Sequence, residues 1–311
     1  MILLLTFSCA SIKLSDSGST KDSSTADTSQ HHTAEDTSDT VEQDTSLDTS
    51  LEEIEPCNGH IQLCDLRVDE VSFPGTHNSM SNSEDGWLAP NQNWNVRHQL
   101  NAGVRALNLD TYWYDDTVML CHGYCELGKT PLVQTLFDIK GFLQEEPNTI
   151  LIISFQDAAE AGPTIDAFEA AGLFEQLHEQ ALDEPWPTLQ ELLDANTNLI
   201  VFAANHGGSH PAYHAQWDYW IDTPYQATST NDFTCEADRG NLETATLLNV
   251  NHFITFPIAL PDLATTANQE SVLQEHLDKC AIERDHHPNQ ILVDFIDLGK
   301  TLDVIDTWNM H

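Results

Sequence analysis

Five short segments of this 311-residue chain carry side chains able to move protons or hold a cation. They are Pro74-Gly75-Thr76-His77-Asn78-Ser79-Met80, Asn108-Leu109-Asp110, Cys121-His122-Gly123, Ser154-Phe155-Gln156-Asp157 and Val293-Asp294-Phe295. Each follows or ends an apolar run of strand type. Two imidazoles, His77 and His122, suit phosphodiester cleavage. One removes a proton from an attacking hydroxyl and the other delivers a proton to the leaving oxygen, each worth about 10²–10⁴-fold. Oxygen donors from Asn78, Asn108, Asp110 and Gln156 would hold a hard cation where charge develops on phosphorus. A single histidine at a strand end is more often a hydrogen-bonded structural residue. Here that explanation must cover His77 and His122 together, and it leaves Asn78 and Asp110 without a role.

Those segments need elements that converge on one mouth. Strand-like runs occupy 68–73, 105–112, 118–121, 149–155, 199–204, 247–253 and 291–295. Helical patterns separate several of them. Thr130-Pro131 reads as an N-cap followed by proline at the first helical position, with Leu132, Leu136, Ile139 and Leu143 on one face and Pro147 at the end. Further helices are expected over 168–182, 188–196, 271–284 and 301–308. Apolar strands alternating with helices predict an α/β fold, an irregular TIM-type (β/α) barrel with its site at the C-terminal strand ends. The gap from Tyr112 to Val118 is too short for a crossover helix, so the alternation breaks there.

The chain has 11 Lys and Arg against 50 Asp and Glu, a net charge of −39. Residues 1–55 hold 12 acids and 2 bases, a net of −10, which leaves −29 for the rest. So one-signed a charge argues against binding nucleic acid, which takes clustered Lys and Arg, and against docking on anionic membrane through a basic patch. It also makes a divalent cation worth seeking. Residues 1–9 read as a short signal peptide ending at a lipidated Cys9, and 10–55 as a disordered acidic Ser/Thr/Asp linker too poor in apolar residues to fold. The folded body spans 56–311. Six cysteines remain, and local pairs plus Cys235–Cys280 is the simplest of the 15 connectivities. A zinc site at Cys121, His122 and Cys125 is disfavoured because no second pair has ligand spacing. His206, His210 and His214 stand at helical spacing, but Gly207-Gly208 and Pro211 break any helix there.

PGTHNSM, VRALNLDTYW, CHG, IISFQD and ILVDFIDLG, in that order, resemble the X-domain superfamily of phosphatidylinositol-specific phospholipases C. The likeness is greatest to bacterial secreted members opening with a CNG…LCD segment, here Cys57-Asn58-Gly59 through Cys64-Asp65. It spans roughly residues 57–310 and takes in LAPNQNW, CELGKTPL, EPWPTL and Cys235-x-x-x-Arg239-Gly240. The resemblance implies that His77 accepts the proton of the inositol 2-hydroxyl, that His122 protonates the diacylglycerol oxygen, and that Asp294 orients His77. Metal-independent members carry arginine where this chain has Asp110, while calcium-dependent members carry an acid. Asp110, with Asn78 beside the base, implies the calcium-dependent type.

Asn108 and Gln156 stand where those enzymes usually present acids, so one ligand of four is charged. A weaker calcium site, about micromolar to millimolar, is expected, with Asp157 as a substitute ligand should the strand end shift by one residue. Five tryptophans near strand-end loops, Trp87, Trp94, Trp113, Trp217 and Trp220, read first as packing residues and second as membrane or substrate contacts. The resulting expectation is an exported, lipid-anchored, monomeric phosphodiesterase of a bacterial envelope, acting on a phospholipid head group with Ca²⁺. The alternatives are an enzyme for another lipid or glycerol-linked diester, and a catalytically inactive surface binding protein on the same scaffold.

Overall fold

The computed structural model of the chain describes residues 55–255 and 258–310. Cys9 and the acidic segment over 10–54 therefore lie outside the described residues. Ten strands form one sheet: β1 (Phe73–Thr76), β2 (Ala106–Tyr114), β3 (Thr117–Cys121), β4 (Lys129–Pro131), β5 (Leu151–Asp157), β6 (Leu199–Ala203), β7 (His214–Ala215), β8 (Trp220–Asp222), β9 (Leu247–Asn251) and β10 (Pro288–Val293). Eight of them run parallel in the order β7-β6-β5-β2-β1-β10-β9-β8, so the first strand of the body pairs with the last. This is the α/β, curled parallel architecture expected, an irregular TIM-type barrel. It is open on one side: among the described residues β7 and β8 share no ladder, and the single turn Gln216–Tyr219 spans between them.

Strand register separates two apolar layers. Asn108 pairs with Ser154 and Asp110 with Gln156, so these four side chains share the inner face. Their neighbours Leu107, Leu109, Ile153 and Phe155 face outward and pack with helix residues Leu136, Ile139 and Phe168. The lower interior is filled by Phe73, Ala106, Ile152, Phe202 and Trp220, and the Cys57–Cys64 segment joins that layer. Gly75 permits this: a Cβ there would sit 2.9 Å from Leu292 Cδ2 and 3.1 Å from Ala106 Cβ.

The break after Tyr112 is a hairpin. β2 runs on to Tyr114, turns through Asp115 and Asp116 with φ of 51° and 62°, and returns as antiparallel β3. Two successive positive φ values match the twist that a two-residue hairpin loop needs. β3 thus carries His122 back to the mouth.

Several expected boundaries shift. Thr130 is not an N-cap: residues 129–131 pair with β3 as β4, and the helix begins at Leu132 behind Pro131, which makes no side-chain cap bond. The helix expected over 168–182 runs Ala161–Ala171, with Pro163 in the tolerant first turn and a stop at Gly172, whose φ is 68°. The run over 68–73 opens with a 3₁₀ turn, Val68–Glu70, before β1, and the last strand starts earlier, at Pro288.

The three expected disulfides are present: Cys57–Cys64, Cys121–Cys125 and Cys235–Cys280. Loops of 7 and 45 residues give very different chain-entropy terms, about 2 kcal/mol for the first pair and about 4 kcal/mol for the third. Replacing Cys235 and Cys280 together by Ala should therefore cost about twice as much stability in urea unfolding as replacing Cys57 and Cys64. Equal losses would refute that account of the disulfides.

Candidate active site

His77 stands one residue past β1, where its backbone N–H donates to Val293 O at 3.0 Å. Its Nδ1 donates to Asp294 Oδ1 at 2.9 Å, which leaves Nε2 as an acceptor, the tautomer a base requires. Asp294 is itself fixed and buried. Asn91 Nδ2 donates to the same Oδ1 at 2.9 Å, and Thr255 Oγ1 donates to Oδ2. Gln92 clamps both strand ends, its Nε2 donating to His77 O at 2.8 Å and to Val293 O at 3.0 Å. Phe253 stacks on the imidazole with ring centroids 3.8 Å apart and planes within 2°.

His122 arrives from β3, and the Cys121–Cys125 bond constrains the turn that follows it. Asn78 sits between the two rings: its Nδ2 lies 3.1 Å from His77 Nε2 and 3.2 Å from His122 Nε2. Both reactive nitrogens therefore address one small volume. Asn78 reaches it from a left-handed backbone, φ 46°, a conformation asparagine tolerates better than most residues. Burial, and next the neighbouring His77, push the His122 imidazole below its usual range, with Asp294 opposing.

Asp110 is the electrostatic anomaly. It is 2% exposed, and its Oδ1 is buried with no hydrogen-bond partner among the described residues. Burial pushes the carboxyl up to about 7, opposed by His77. An unpaired carboxylate beside neutral oxygen donors is what a hard cation requires. Among the described residues Asn78 has its oxygen unengaged and Asn108 Oδ1 holds only a 3.3 Å bond from Asn78 N, while exposed Gln156 shares the inner face with Asp110. The donor set fits a calcium ion. Asp157 does not belong to it. Its side chain faces outward and accepts from the backbone N–H groups of Asn205 and His206 at 2.7 and 2.8 Å, so the substitute-ligand expectation is corrected.

The other histidine and cysteine candidates have partners of their own. His206 Nδ1 lies 3.0 Å from Asp157 Oδ2, buried His214 bonds Val201 O and Gln180 N, and Cys121 and Cys125 are joined in a disulfide. Of the five tryptophans, Trp87 and Trp220 are core, Trp113 is exposed, and Trp217 lines the mouth. Sequence reading missed Asn91, Gln92, Thr255 and Phe253, although LAPNQNW contains the first two. They lie in irregular loops, where no periodicity marks a side chain as facing the site.

A cavity of about 220 Å³ opens beside His77, walled by Asn108, Gln156, Trp217, Arg239 and Phe253. A half-open barrel bearing a carboxylate-backed histidine, a second histidine on the same point and an unpaired buried acid defines a phosphodiesterase-type scaffold. The chain belongs to the phosphatidylinositol-specific phospholipase C X-domain family, PI-PLC X 1, which matches residues 63–309. A PI-PLC X domain-containing protein of Arthroderma benhamiae is 32% identical over 274 residues, covering 81% of this chain and 89% of that protein. A second protein of that fungus, described as an uncharacterized secreted protein, is 26% identical over 83% of this chain and 64% of its own length. An Arabidopsis thaliana PI-PLC X domain-containing protein is 26% identical over 78% of this chain and 63% of its own. Phosphatidylinositol-specific phospholipase C of Staphylococcus aureus shares the fold, with a TM-score of 0.55 at 14% identity over 78% of this chain and 94% of that one.

Asp110 gives a test in the absence of substrate. Its folded pKa lies above the unfolded 3.8, so the stability it contributes is present below that value and lost as pH rises through about 7. In calcium-free buffer, Asp110→Asn should stabilise the protein at about pH 8 by on the order of a few kcal/mol and have little effect near pH 4. Denaturant unfolding at both pH values measures this. No gain at the higher pH would show that the carboxylate is already compensated.

Proposed function

We propose that the protein is a phospholipase C-type phosphodiesterase acting on a phosphatidylinositol-like lipid, with His77 as general base, His122 as general acid and calcium as the resident cation. The observation carrying this reading is the convergence of both imidazole Nε2 atoms on one amide nitrogen, beside a buried, unpartnered carboxylate.

His77 Nε2 accepts the proton of a head-group hydroxyl next to the phosphate, and that oxygen then attacks phosphorus. Asp294 holds the ring in the required tautomer and stabilises the imidazolium that forms. The phosphate's negative charge raises the depressed His122 pKa, so its ring takes up a proton at Nε2 and passes it to the departing diacylglycerol oxygen. Asn78 must release its bond to His122 for this step, and the bound phosphate offers it another acceptor. Asp110, Asn78, Asn108 and Gln156 would hold calcium, which supplies positive charge to the phosphorus centre. Arg105 does not substitute for it at the β2 end: it faces outward, donating to Leu100 O and Val104 O and lying over the Phe142 ring.

Export fits the chemistry. Three disulfides belong to an oxidising compartment, one relative is described as secreted, and no described helix is long and apolar enough to cross a membrane. In this reading Cys9 carries a lipid anchor.

Release of soluble head group from labelled phosphatidylinositol tests the assignment. His77→Ala and His122→Ala should each lower turnover by about 10²–10⁴-fold, with the unfolding midpoint almost unchanged in His122→Ala and lowered in His77→Ala, which takes a donor from buried Asp294. Near-normal rates in both variants would end the acid–base reading. The metal assignment stands apart from it. Wild-type activity should vanish with excess chelator and return with calcium, and Asp110→Asn should need more calcium for half-activation. Full activity in chelator would reject the metal-assisted route even if both histidines proved essential.

A further inference from the structure

Two buried histidines and a disulfide meet outside the cavity beside His77, and no step above uses them. His276 and Cys280 lie four residues apart on one face of the helix Glu270–Arg284, and Cys235 reaches them from the segment between β8 and β9. A ring nitrogen of His276 and the two sulfurs lie within 4.8 Å of one another, the one such trio of His, Cys, Asp or Glu among the described residues. All three side chains are buried, and Phe233 stacks on the His276 ring with centroids 5.0 Å apart.

Hydrogen bonds fix where the protons sit. His252 Nε2 faces Ala267 O, an acceptor only, at 2.8 Å, so that nitrogen carries the hydrogen. Burial pushes both imidazoles down, His252 to about 3 and His276 to about 4, so both rings are neutral at physiological pH. His252 Nδ1 is then an acceptor, and His276 Nδ1 donates to it across 2.9 Å. His276 keeps a bare lone pair on Nε2, and that atom is buried without a partner among the described residues.

Packing alone does not ask for this. A phenylalanine would fill the space against Phe233 with no nitrogen to desolvate. Nor does the disulfide satisfy the lone pair, because a bonded sulfur carries no hydrogen. An imidazole anchored through one nitrogen and open at the other is arranged as a metal ligand with its outer support. Opening the S–S bond would add two thiolates, soft donors that zinc takes together with imidazole. Tetrahedral zinc, with bonds of about 2.0 Å to nitrogen and 2.3 Å to sulfur, sets its ligand atoms roughly 3.5–3.8 Å apart, so the trio needs only small shifts. A cavity of about 300 Å³ lined by Phe233, Glu275, His276 and Lys279 gives the ion an entry and leaves room for water as a fourth ligand.

We propose that Cys235, Cys280 and His276 form a redox-gated zinc site: the disulfide staples the oxidised chain, and Zn²⁺ on both thiolates and His276 Nε2 staples the reduced one. His252 is a positioning residue that holds the ring in its ligating tautomer. The reductant is a dithiol. It passes two electrons and two protons to the sulfurs and closes to its own disulfide, and zinc then displaces both thiol protons to solvent.

The full chain, reduced by dithiothreitol in mild urea to open the buried bond and desalted under argon, is titrated with Co²⁺ and then Zn²⁺. Wild type should take up one Co²⁺ more than the double variant Cys235→Ser with Cys280→Ser, which accounts for binding at the other thiols. That ion should show tetrahedral visible bands and sulfur-to-cobalt charge transfer, and Zn²⁺ should displace it. The unreduced chain should lack the charge-transfer band. His252→Asn should weaken zinc by about 10–100-fold, and His276→Gln by at least as much. If the reduced chain unfolds without metal, zinc should restore the far-ultraviolet signal of wild type but not of His276→Gln. Equal cobalt spectra in wild type and the double variant overturn the site, as does an unchanged zinc Kd in His276→Gln. Recovery by zinc in both chains, or in neither, overturns it too.

Discussion

The pairing of the first strand with the last is the constraint on which the site depends. Thr76 lies opposite Val293 in parallel register, so the residues that follow each, His77 and Asp294, leave the sheet side by side although 217 positions separate them. The loop after β1 then closes over the junction. Gln92 bonds both strand ends, and Asn91 shares the Asp294 oxygen with His77. A slip of one residue in this ladder would turn His77 to the outer face and leave Asp294 buried without its imidazole. Register here is therefore both a folding requirement and the source of the base's orientation.

Four buried carboxylates among the described residues separate structure from chemistry. Asp157 is satisfied by two backbone N–H groups and His206, Asp222 by Arg239, and Asp294 by His77, Asn91 and Thr255. Each has several donors, as burial of charge demands. Asp110 Oδ1 has none among the described residues, and burial raises its carboxyl to about 7. A satisfied acid fixes a loop or a ring. An unsatisfied one, on the inner face with Asn108 and Gln156, carries a desolvation cost that no described protein donor offsets.

The barrel also divides polar from apolar by parity. Along β2 and β5 even-numbered residues supply the polar inner face near the mouth, while odd-numbered residues seal the sheet against the helices. Lower down, the same inner face turns apolar through Ala106 and Ile152. The cavity is thus a wet pocket above a dry plug, and that arrangement lets amides and charged groups gather without opening the core to water.

How much of this was legible beforehand follows from the range of each interaction. Most of the longer strands and helices and the polar residues at strand ends are local, set by side-chain alternation, so the sequence alone determined them. The ordered motifs likewise determined the family, along with His77, His122 and Asp294 as the residues to examine. Boundaries failed where a tertiary partner outweighed local preference: β3 draws residues 129–131 into a strand in place of a helix cap. The supporting residues Asn91, Gln92, Thr255 and Phe253 and the orphaned oxygen of Asp110 are products of tertiary structure. They depend on which loops meet after the sheet curls. No period in a single chain encodes that meeting, because the partners act across tens to hundreds of residues and through space alone.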